Sequence, residues 1–333
     1  MNGQDSGQCR RPETKNVRRP DDRKRPGDRK QAGDRRKIEC YNEAVKTEAL
    51  RGGAFRAAAE RKGYIMDIRF NLFPGGRDKA LTMSYDDGRT ADRRLVEIFN
   101  ANGIRGTFHL NSEKLDTPDY ISAREVKALY QGHEIAAHTC THPFLGQLPE
   151  RMQLQEILGD RERLEELAGY PVTGMSWPYG SFSDDVIRMA RACGIVYSRT
   201  VHSTGGFDIP ADFMRWDPTA HHGEDLDRLW ERFQDAHRND MRLFYIWGHS
   251  YEFDLDHSWE RMEAFCEKAG GHADVWYATN GEIKAYLDAL HSLAVGARMD
   301  MIHNGSAVDV WVSVEGKPVR IGAGELWKRE GSE

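Results

Sequence analysis

The sequence predicts an α/β fold built around parallel strands. Short apolar runs of strand length alternate with longer, helix-like segments over residues 80–293, and repeated βα units of this length form a parallel sheet or a barrel. Several of the apolar runs end in Asp or His. Because (β/α) barrels carry their chemistry at the carboxyl ends of the strands, this arrangement favours a barrel.

The individual elements follow from the same alternation. The predicted strands are residues 80–85, 106–110, 133–137, 174–177, 195–198, 213–216, 243–247 and 275–278. The predicted helices are residues 91–102, 123–131, 148–168, 183–193, 225–237, 258–269 and 281–293. The longest helix has an apolar stripe that includes Leu154, Ile157 and Leu164. Alternating valines from Val308 to Val314 predict a β-hairpin or small C-terminal β appendage within residues 299–326.

Composition divides the chain into a tail, a barrel and an extension. Residues 1–65 are rich in Arg, Asp, Gly and Pro and are basic, which predicts a disordered or partly helical tail with a helix near residues 43–61. Residues 66–295 are expected to form the barrel, and residues 296–333 the β extension. Met66 is a credible alternative start, so we expect the tail to be dispensable.

Charge and cysteine content exclude several classes of protein. The chain has 333 residues and a formal net charge of −6, and its acidic body argues against nucleic acid as a partner. The 5 cysteines show no disulfide framework, which suits a reducing compartment. No stretch is apolar enough to span a membrane, and the basic N-terminus lacks the apolar region of a secretory signal. The expected location is cytoplasmic, and the oligomeric state is not predicted.

The first candidate for chemistry is the stretch Asp86-Asp87-Gly88, which follows the strand at residues 80–85. Adjacent side chains on a strand point to opposite faces. Because Gly88 lets the backbone turn, both carboxylates can approach one site from different angles. One carboxylate could then bind a metal while the other accepts a proton. An ordinary Asp-Gly turn is the alternative for this tripeptide taken alone.

The second candidate is His138-Thr-Cys140-Thr-His142, which follows the strand at residues 133–137. Two imidazoles and one carboxylate form a ligand set typical of catalytic zinc, with a fourth position for water. Histidine pairs at this spacing also occur on surfaces, so the hypothesis depends on both motifs lying at strand ends. Cys140 is either a further ligand or a buried side chain that points away from the metal.

Two later motifs complete a known family signature. Trp177-Pro-Tyr179-Gly and Trp247-Gly-His249 follow the two motifs above in chain order. Over residues 79–280 the chain resembles the polysaccharide deacetylases, the NodB-like carbohydrate esterases of family four. The resemblance implies a distorted (β/α) barrel with seven or eight parallel strands.

The resemblance also implies a metal centre. Asp87, His138 and His142 would bind a divalent metal, expected to be zinc, with cobalt, nickel or manganese as alternatives. Asp86 would then act as the general base for the attacking water. The reaction would be the hydrolysis of an acetamide.

Further roles follow from the later motifs. The backbone N–H of Tyr179 would stabilise the oxyanion, although a surface turn residue is the alternative. His249 would be the general acid that protonates the leaving amine, which is a poor leaving group without a proton. Asp217 resembles the family aspartate that orients this histidine, and Asp217-Pro218 is also an ordinary turn start. Trp247 matches the position that lines the acetyl pocket.

The clearest departure from the family pattern is Ser176, where many members carry an arginine that steers the base aspartate. Arg215 is expected either to substitute for that arginine or to be a surface charge. Trp177 and Arg215 are also predicted to contact the substrate. His221 and His222 could line the cleft, although a solvated loop is the preferred interpretation.

These features predict a metal-dependent N-deacetylase that acts on an N-acetylated carbohydrate, a polysaccharide or an oligosaccharide. One alternative is a cyclic-amide or ureide hydrolase of the same fold, whose known members lose the metal ligands that this chain keeps. The other is a non-catalytic carbohydrate-binding protein, which would be marked by loss of Asp86 or His249. Which sugar is recognised is not visible in the sequence.

Overall fold

A curved sheet of parallel strands forms the centre of the computed structural model, which describes residues 66–235 and 240–329. After the short strand β1 (Ile68–Arg69), the strands of this sheet are β2 (Lys79–Asp87), β3 (Gly106–Leu110), β4 (Glu134–Ala137), β5 (Gly174–Ser176), β6 (Tyr197–Arg199), β7 (Ala220–His221), β8 (Arg242–His249) and β9 (Val275–Tyr277). Their spatial order is β6-β5-β4-β3-β2-β8-β7, with β9 also beside β2. Every pairing in this sheet is parallel.

The two edges of the sheet approach each other through irregular backbone. Trp216 forms a parallel bridge with Arg199 of β6, and its amide donates to the carbonyl oxygen of Ser198 at 3.1 Å. A few residues later the chain enters β7, whose Ala220 pairs with Ile246 of β8. The predicted fold class, a distorted (β/α) barrel with a small C-terminal β appendage, is confirmed.

Helices connect the strands and bury one face against them. They are α1 (Asp92–Ala101), α2 (Val126–Leu129), α3 (Glu150–Ala168), α4 (Asp184–Ala192), α5 (Leu226–Gln234), α6 (Glu252–Leu255), α7 (Trp259–Ala269) and α8 (Asn280–His291). Ser183 caps α4 as predicted, because its side chain accepts a hydrogen bond from the amide of Val186. Within the described residues, none of the helices has the length and apolar character needed to cross a membrane.

Several predicted elements differ from the structure. The strand predicted at residues 213–216 is instead a single 3₁₀ turn, Phe213–Arg215, because the Asp212 carboxylate accepts the amide of Met214 and tightens the backbone. The helix predicted at residues 123–131 is reduced to α2. In α3, Ile157 and Leu164 are fully buried, but Leu154 is 39% exposed and does not belong to the buried stripe. The helix predicted at residues 43–61 lies outside the described residues.

The C-terminal segment contains the predicted hairpin. The strands β10 (Ala294–Val295), β11 (Met301–His303), β12 (Val310–Val314), β13 (Lys317–Ile321) and β14 (Leu326–Lys328) form two small antiparallel sheets. β12 and β13 are joined by Glu315 and Gly316, which both have positive φ, as a tight hairpin turn requires. Because β12 also pairs with β1, the hairpin is tied to the start of the described chain. The predicted boundary between the barrel and the β extension, after residue 295, remains a prediction.

The sheet brings the candidate residues to one edge. Asp86 and Asp87 end β2, and His249 ends β8. His138 directly follows β4, whose Ala137 pairs with Leu110 of β3. Because these strands are parallel, their carboxyl ends lie on the same side of the barrel.

Candidate metal centre and acid–base groups

Asp87, His138 and His142 form a group with the geometry of a metal site. One donor atom from each residue lies within 4.8 Å of the others. The Nε2 atoms of both histidines lie 3.8 Å from Oδ1 of Asp87. His138 is buried, whereas Asp87 and His142 are partly exposed. The structure therefore brings together the three ligands named from the sequence and leaves one side open to solvent, as a catalytic metal needs.

The hydrogen bonds of His138 prepare its outer nitrogen for a metal. Nδ1 lies 3.0 Å from the carbonyl oxygen of Ser176, to which it can donate. The opposite nitrogen, Nε2, is buried and has no hydrogen-bond partner within the described part of the chain. Burial lowers the pKa of His138 to about 3, against the attraction of Asp86. A neutral imidazole with one orphaned nitrogen fits a divalent cation at this position.

The backbone is strained around these ligands. Asp87, Thr139 and His142 have φ values of 82°, 68° and 65°, and Tyr179 has 57°. Such left-handed conformations are uncommon in residues other than glycine, and they cluster at functional sites when the surrounding structure holds them in place. Here they turn the ligands at two strand ends toward one point.

Asp86 is a buried carboxylate with three polar neighbours. It forms an ion pair with the Arg199 guanidinium, accepts a hydrogen bond from Ser176 Oγ at 3.1 Å, and lies 3.2 Å from Nδ1 of His109. Burial raises the pKa of Asp86, but Arg199, His138 and His109 outweigh it and hold the pKa well below its ordinary value. The carboxylate is therefore ionised at neutral pH.

Arg199 takes the place that the sequence interpretation offered to Arg215. Arg199 is completely buried, and its guanidinium carbon lies 4.2 Å from the centre of the Trp247 ring. Arg215 instead pairs with Asp184 and Asp212 at the surface. Of the two alternatives given for Arg215, the surface charge agrees with these exposed ion pairs, and its predicted contact with the substrate remains a prediction. Arg199 belongs to none of the sequence motifs, so the motifs could not identify it.

The tryptophans of the motifs differ in exposure. Trp247 is 8% exposed, and its ring lies near the rings of His221 and His249, with centroid distances of 4.9 and 5.7 Å. It therefore forms part of the site wall.

Trp177 is fully buried, and its indole N–H donates to the carbonyl oxygen of Met214 at 2.9 Å. The predicted substrate contact of Trp177 is wrong, because this side chain belongs to the core.

His249 pairs with a carboxylate that the sequence interpretation did not name. Its Nδ1 lies 3.2 Å from Oε1 of Glu252, the first residue of α6. Asp217, expected to fill this role, accepts a hydrogen bond from the hydroxyl of Thr200 instead. On β2 and β8, Asp86 and His249 are register partners, so the base and acid candidates lie side by side.

His221 and His222 belong to the same neighbourhood as Glu252. Their Nε2 atoms lie 3.0 and 3.1 Å from Oε2 of Glu252. The preferred interpretation as a solvated loop is wrong, because β7, which ends at His221, pairs with β8, and the amide of His222 donates to the carbonyl oxygen of Trp247 on β8. His222 is only 6% exposed.

Tyr179 lies beside the metal ligands. Its ring centroid is 4.4 Å from that of His142 and 3.9 Å from that of Phe144, on which it stacks. Tyr179 is 54% exposed. The role of its backbone N–H as an oxyanion donor remains a prediction.

The fold and the site together define a (β/α)-barrel protein with a group of residues at one barrel edge that could hold a metal ion. Residues 74–198 match the family model described as polysaccharide deacetylase. The resemblance to the polysaccharide deacetylases that the motifs predicted is therefore confirmed over this segment, which includes the two central motifs.

The chain matches part of the length of several proteins that are named as deacetylases. The segment is 26% identical over 111 residues to the peptidoglycan-N-acetylmuramic acid deacetylase PdaC of Bacillus subtilis, covering 32% of this chain and 23% of the relative. It is 26% identical over 146 residues to the chitooligosaccharide deacetylase of Rhizobium leguminosarum bv. trifolii, covering 43% of this chain and 64% of the relative. The chain thus spans only part of the relatives that it matches.

A solved structure shares the fold. A Mycobacterium smegmatis protein that carries the name of a polysaccharide deacetylase superposes with a TM-score of 0.53 at 17% identity. The match covers 68% of this chain and 96% of that one. At this identity the likeness supports the fold alone.

Proposed function

We propose that this protein is a metal-dependent hydrolase that removes acetyl groups from an N-acetylated sugar. The observation that carries the proposal is the convergence of Asp87, His138 and His142 beside an ionised, buried Asp86. His249 completes the set from the neighbouring strand. Amide hydrolysis needs an activated water and an acid for the leaving amine, and these residues can supply both.

The division of labour follows from the environment of each group. A divalent cation held by Asp87, His138 and His142 would supply Lewis acidity at the attacked carbonyl and a more acidic water. Asp86 accepts the proton of the attacking water, because Arg199 and Ser176 hold the carboxylate ionised and oriented. His249 donates a proton to the departing nitrogen.

The substrate class comes from the relatives rather than from the geometry. The named relatives are deacetylases of peptidoglycan sugars and of chito-oligosaccharides. An N-acetylated glucosamine or a related sugar is therefore the proposed substrate, and zinc is the proposed metal because two imidazoles and one carboxylate suit it. The cytoplasmic location remains a prediction.

Acetate release from N-acetylated chito-oligosaccharides tests the proposal. The full chain loaded with zinc should release acetate, a chelator should abolish the release, and added zinc should restore it. No acetate release from the metal-loaded protein would contradict the proposal. Equal rates with and without the chelator would contradict the metal dependence.

A further inference from the structure

Glu252 lies at the centre of three imidazoles, which we call the Glu252 hub: Glu252, His221, His222 and His249. Oε2 of Glu252 lies 3.0 Å from Nε2 of His221 and 3.1 Å from Nε2 of His222. Oε1 lies 3.2 Å from Nδ1 of His249. The carboxylate is thus engaged on both oxygens by groups from two strands.

The position of His222 in the hub is fixed by packing. Its ring stacks on Phe253, with centroids 4.2 Å apart, and on Tyr85, with centroids 5.6 Å apart. Gly248 leaves the space that the ring occupies, since a Cβ at Gly248 would lie 2.1 Å from Nδ1 of His222. The Trp-Gly-His motif therefore also makes room for the hub.

The hydrogen bonds show where the protons of the hub lie. The amide of Gly223 donates to Nδ1 of His221 at 3.1 Å. A neutral imidazole carries one proton, so Nε2 of His221 is protonated and donates to Glu252. A metal bound at this nitrogen would need the opposite tautomer. Donor atoms of His221, His249 and Glu252 lie within 4.8 Å of one another. The Nε2–H tautomer of His221 nevertheless favours a hydrogen-bonded cluster over a second metal site.

We infer that Glu252, held in place by His221 and His222, is the positioning residue for His249, in place of Asp217. Glu252 accepts a hydrogen bond from Nδ1–H of His249. This bond fixes the tautomer and leaves Nε2 as the nitrogen that delivers a proton to the leaving amine. This inference rests on the proposed function, because the acid role of His249 belongs to it.

The charge of the hub supports this role. Burial lowers the pKa of His249, but the pKa is raised above its ordinary value, and the hydrogen bond to Glu252 is the largest of the effects that raise it. An imidazole that is readily protonated is a better acid reservoir for an amine that must leave protonated.

A comparison of two substrates tests the inference. Glu252→Gln replaces one acceptor by an N–H₂ group that faces imidazole N–H donors, so His249 should lose its alignment. Deacetylation of a chito-oligosaccharide should fall roughly 10²-fold or more. Hydrolysis of an activated acetate ester should fall far less, because its leaving group needs little proton assistance. Retained ester hydrolysis would also show that the variant is folded and metal-loaded.

Four further variants complete the experiment. Glu252→Gln combined with His249→Ala should be no slower on the amide than His249→Ala alone, because both changes remove one function. Asp217→Asn should not reproduce the selective loss on the amide. Glu263 of α7 is a partly exposed carboxylate that pairs with Arg94 of α1. Glu263→Gln is therefore the matched control and should resemble the native protein. Equal loss on amide and ester in Glu252→Gln, additive losses in the double variant, or an amide-selective loss in Asp217→Asn would each overturn the inference.

Histidine tautomers give a readout that does not depend on activity. Long-range ¹H–¹⁵N NMR of the native zinc-loaded protein should show Nε2–H for His221 and Nδ1–H for His249, and Glu252→Gln should alter the His249 signals. Loss of the His221 Nε2 proton on addition of a second equivalent of zinc would overturn the hub in favour of a metal site. A native protein with the expected tautomers but no deacetylation would refute the proposed function and not the hydrogen bonds.

Discussion

At the scale of single residues, the site depends on how one buried carboxylate is kept charged. Asp86 is 2% exposed, and burial alone would favour its neutral form. The completely buried guanidinium of Arg199 reverses that preference. Removing one partner of a buried ion pair is costly because the other charge is left without compensation.

Arg199→Met tests this pairing. The variant should lose about 3–5 kcal/mol of unfolding free energy, the cost typical of breaking a buried ion pair. Chemical denaturation of the metal-free protein measures the change. Arg215→Met is the matched control, because Arg215 pairs at the surface, and it should lie within about 0.5 kcal/mol of the native protein. Equal effects of the two changes would show that the Arg199–Asp86 pair does not stabilise the fold.

At the scale of elements, α1 is joined to its neighbours by a second buried carboxylate. Asp92 accepts hydrogen bonds from the hydroxyl of Tyr130 at 2.6 Å and from that of Ser250 at 2.5 Å. Burial raises the pKa of Asp92 to about 7, against these two hydrogen bonds. The folded protein therefore holds a proton here at pH values at which the unfolded chain has released it.

This proton predicts a pH dependence of stability that Asp92→Asn removes. The contribution of Asp92 is fully present below its unfolded pKa of 3.8 and is lost as the pH rises through about 7. The shift corresponds to about 4 kcal/mol. The unfolding free energy of the native protein minus that of Asp92→Asn should therefore fall between pH 4 and pH 7. A difference that is constant or rises over this range would contradict the assignment.

The sequence predicts those parts of the site that lie in local motifs. Asp86-Asp87-Gly88 and the His138–His142 pair were found because each follows an apolar strand. Arg199 could not be found in this way, since 113 residues separate it from Asp86 and only the sheet order brings them together. Glu252 belongs to no recognised motif, and only the pairing of β7 with β8 brings His221 and His222 to the barrel edge. The apolar content of residues 213–216 predicts a strand, but the Asp212 side chain accepts the amide of Met214 and forms a turn there.

At the scale of the whole molecule, the described residues share their packing between the barrel and the C-terminal strands. Val310, Val312 and Ile321 are fully buried in a cluster with Ile283 and Leu290 of α8. The contact-defined unit that begins at Met66 includes these strands. The β extension thus contributes to the same buried cluster as Ala80 of β2 and Leu243 of β8.

Removing residues 1–65 tests the boundary of the functional unit. The chain shortened to begin at Met66 should remain soluble, bind metal and deacetylate at the rate of the full chain, because the unit from Met66 onward has its own core. Thermal unfolding, metal content and turnover should be compared between the two forms. Loss of soluble, folded protein on this truncation would show that the tail is needed.

The separate roles of Asp86 and Asp87 are the central claim. Metal content and turnover on an acetylated chito-oligosaccharide, measured together for Asp86→Asn and Asp87→Asn, test it most directly. Asp87→Asn should lose metal, and excess zinc should restore part of its activity. Asp86→Asn should keep its metal but turn over roughly 10²–10⁴-fold more slowly, because an amide cannot accept the proton of the water. Loss of metal from Asp86→Asn with retention in Asp87→Asn would reverse the roles, and retention of both metal and activity in both variants would contradict the account.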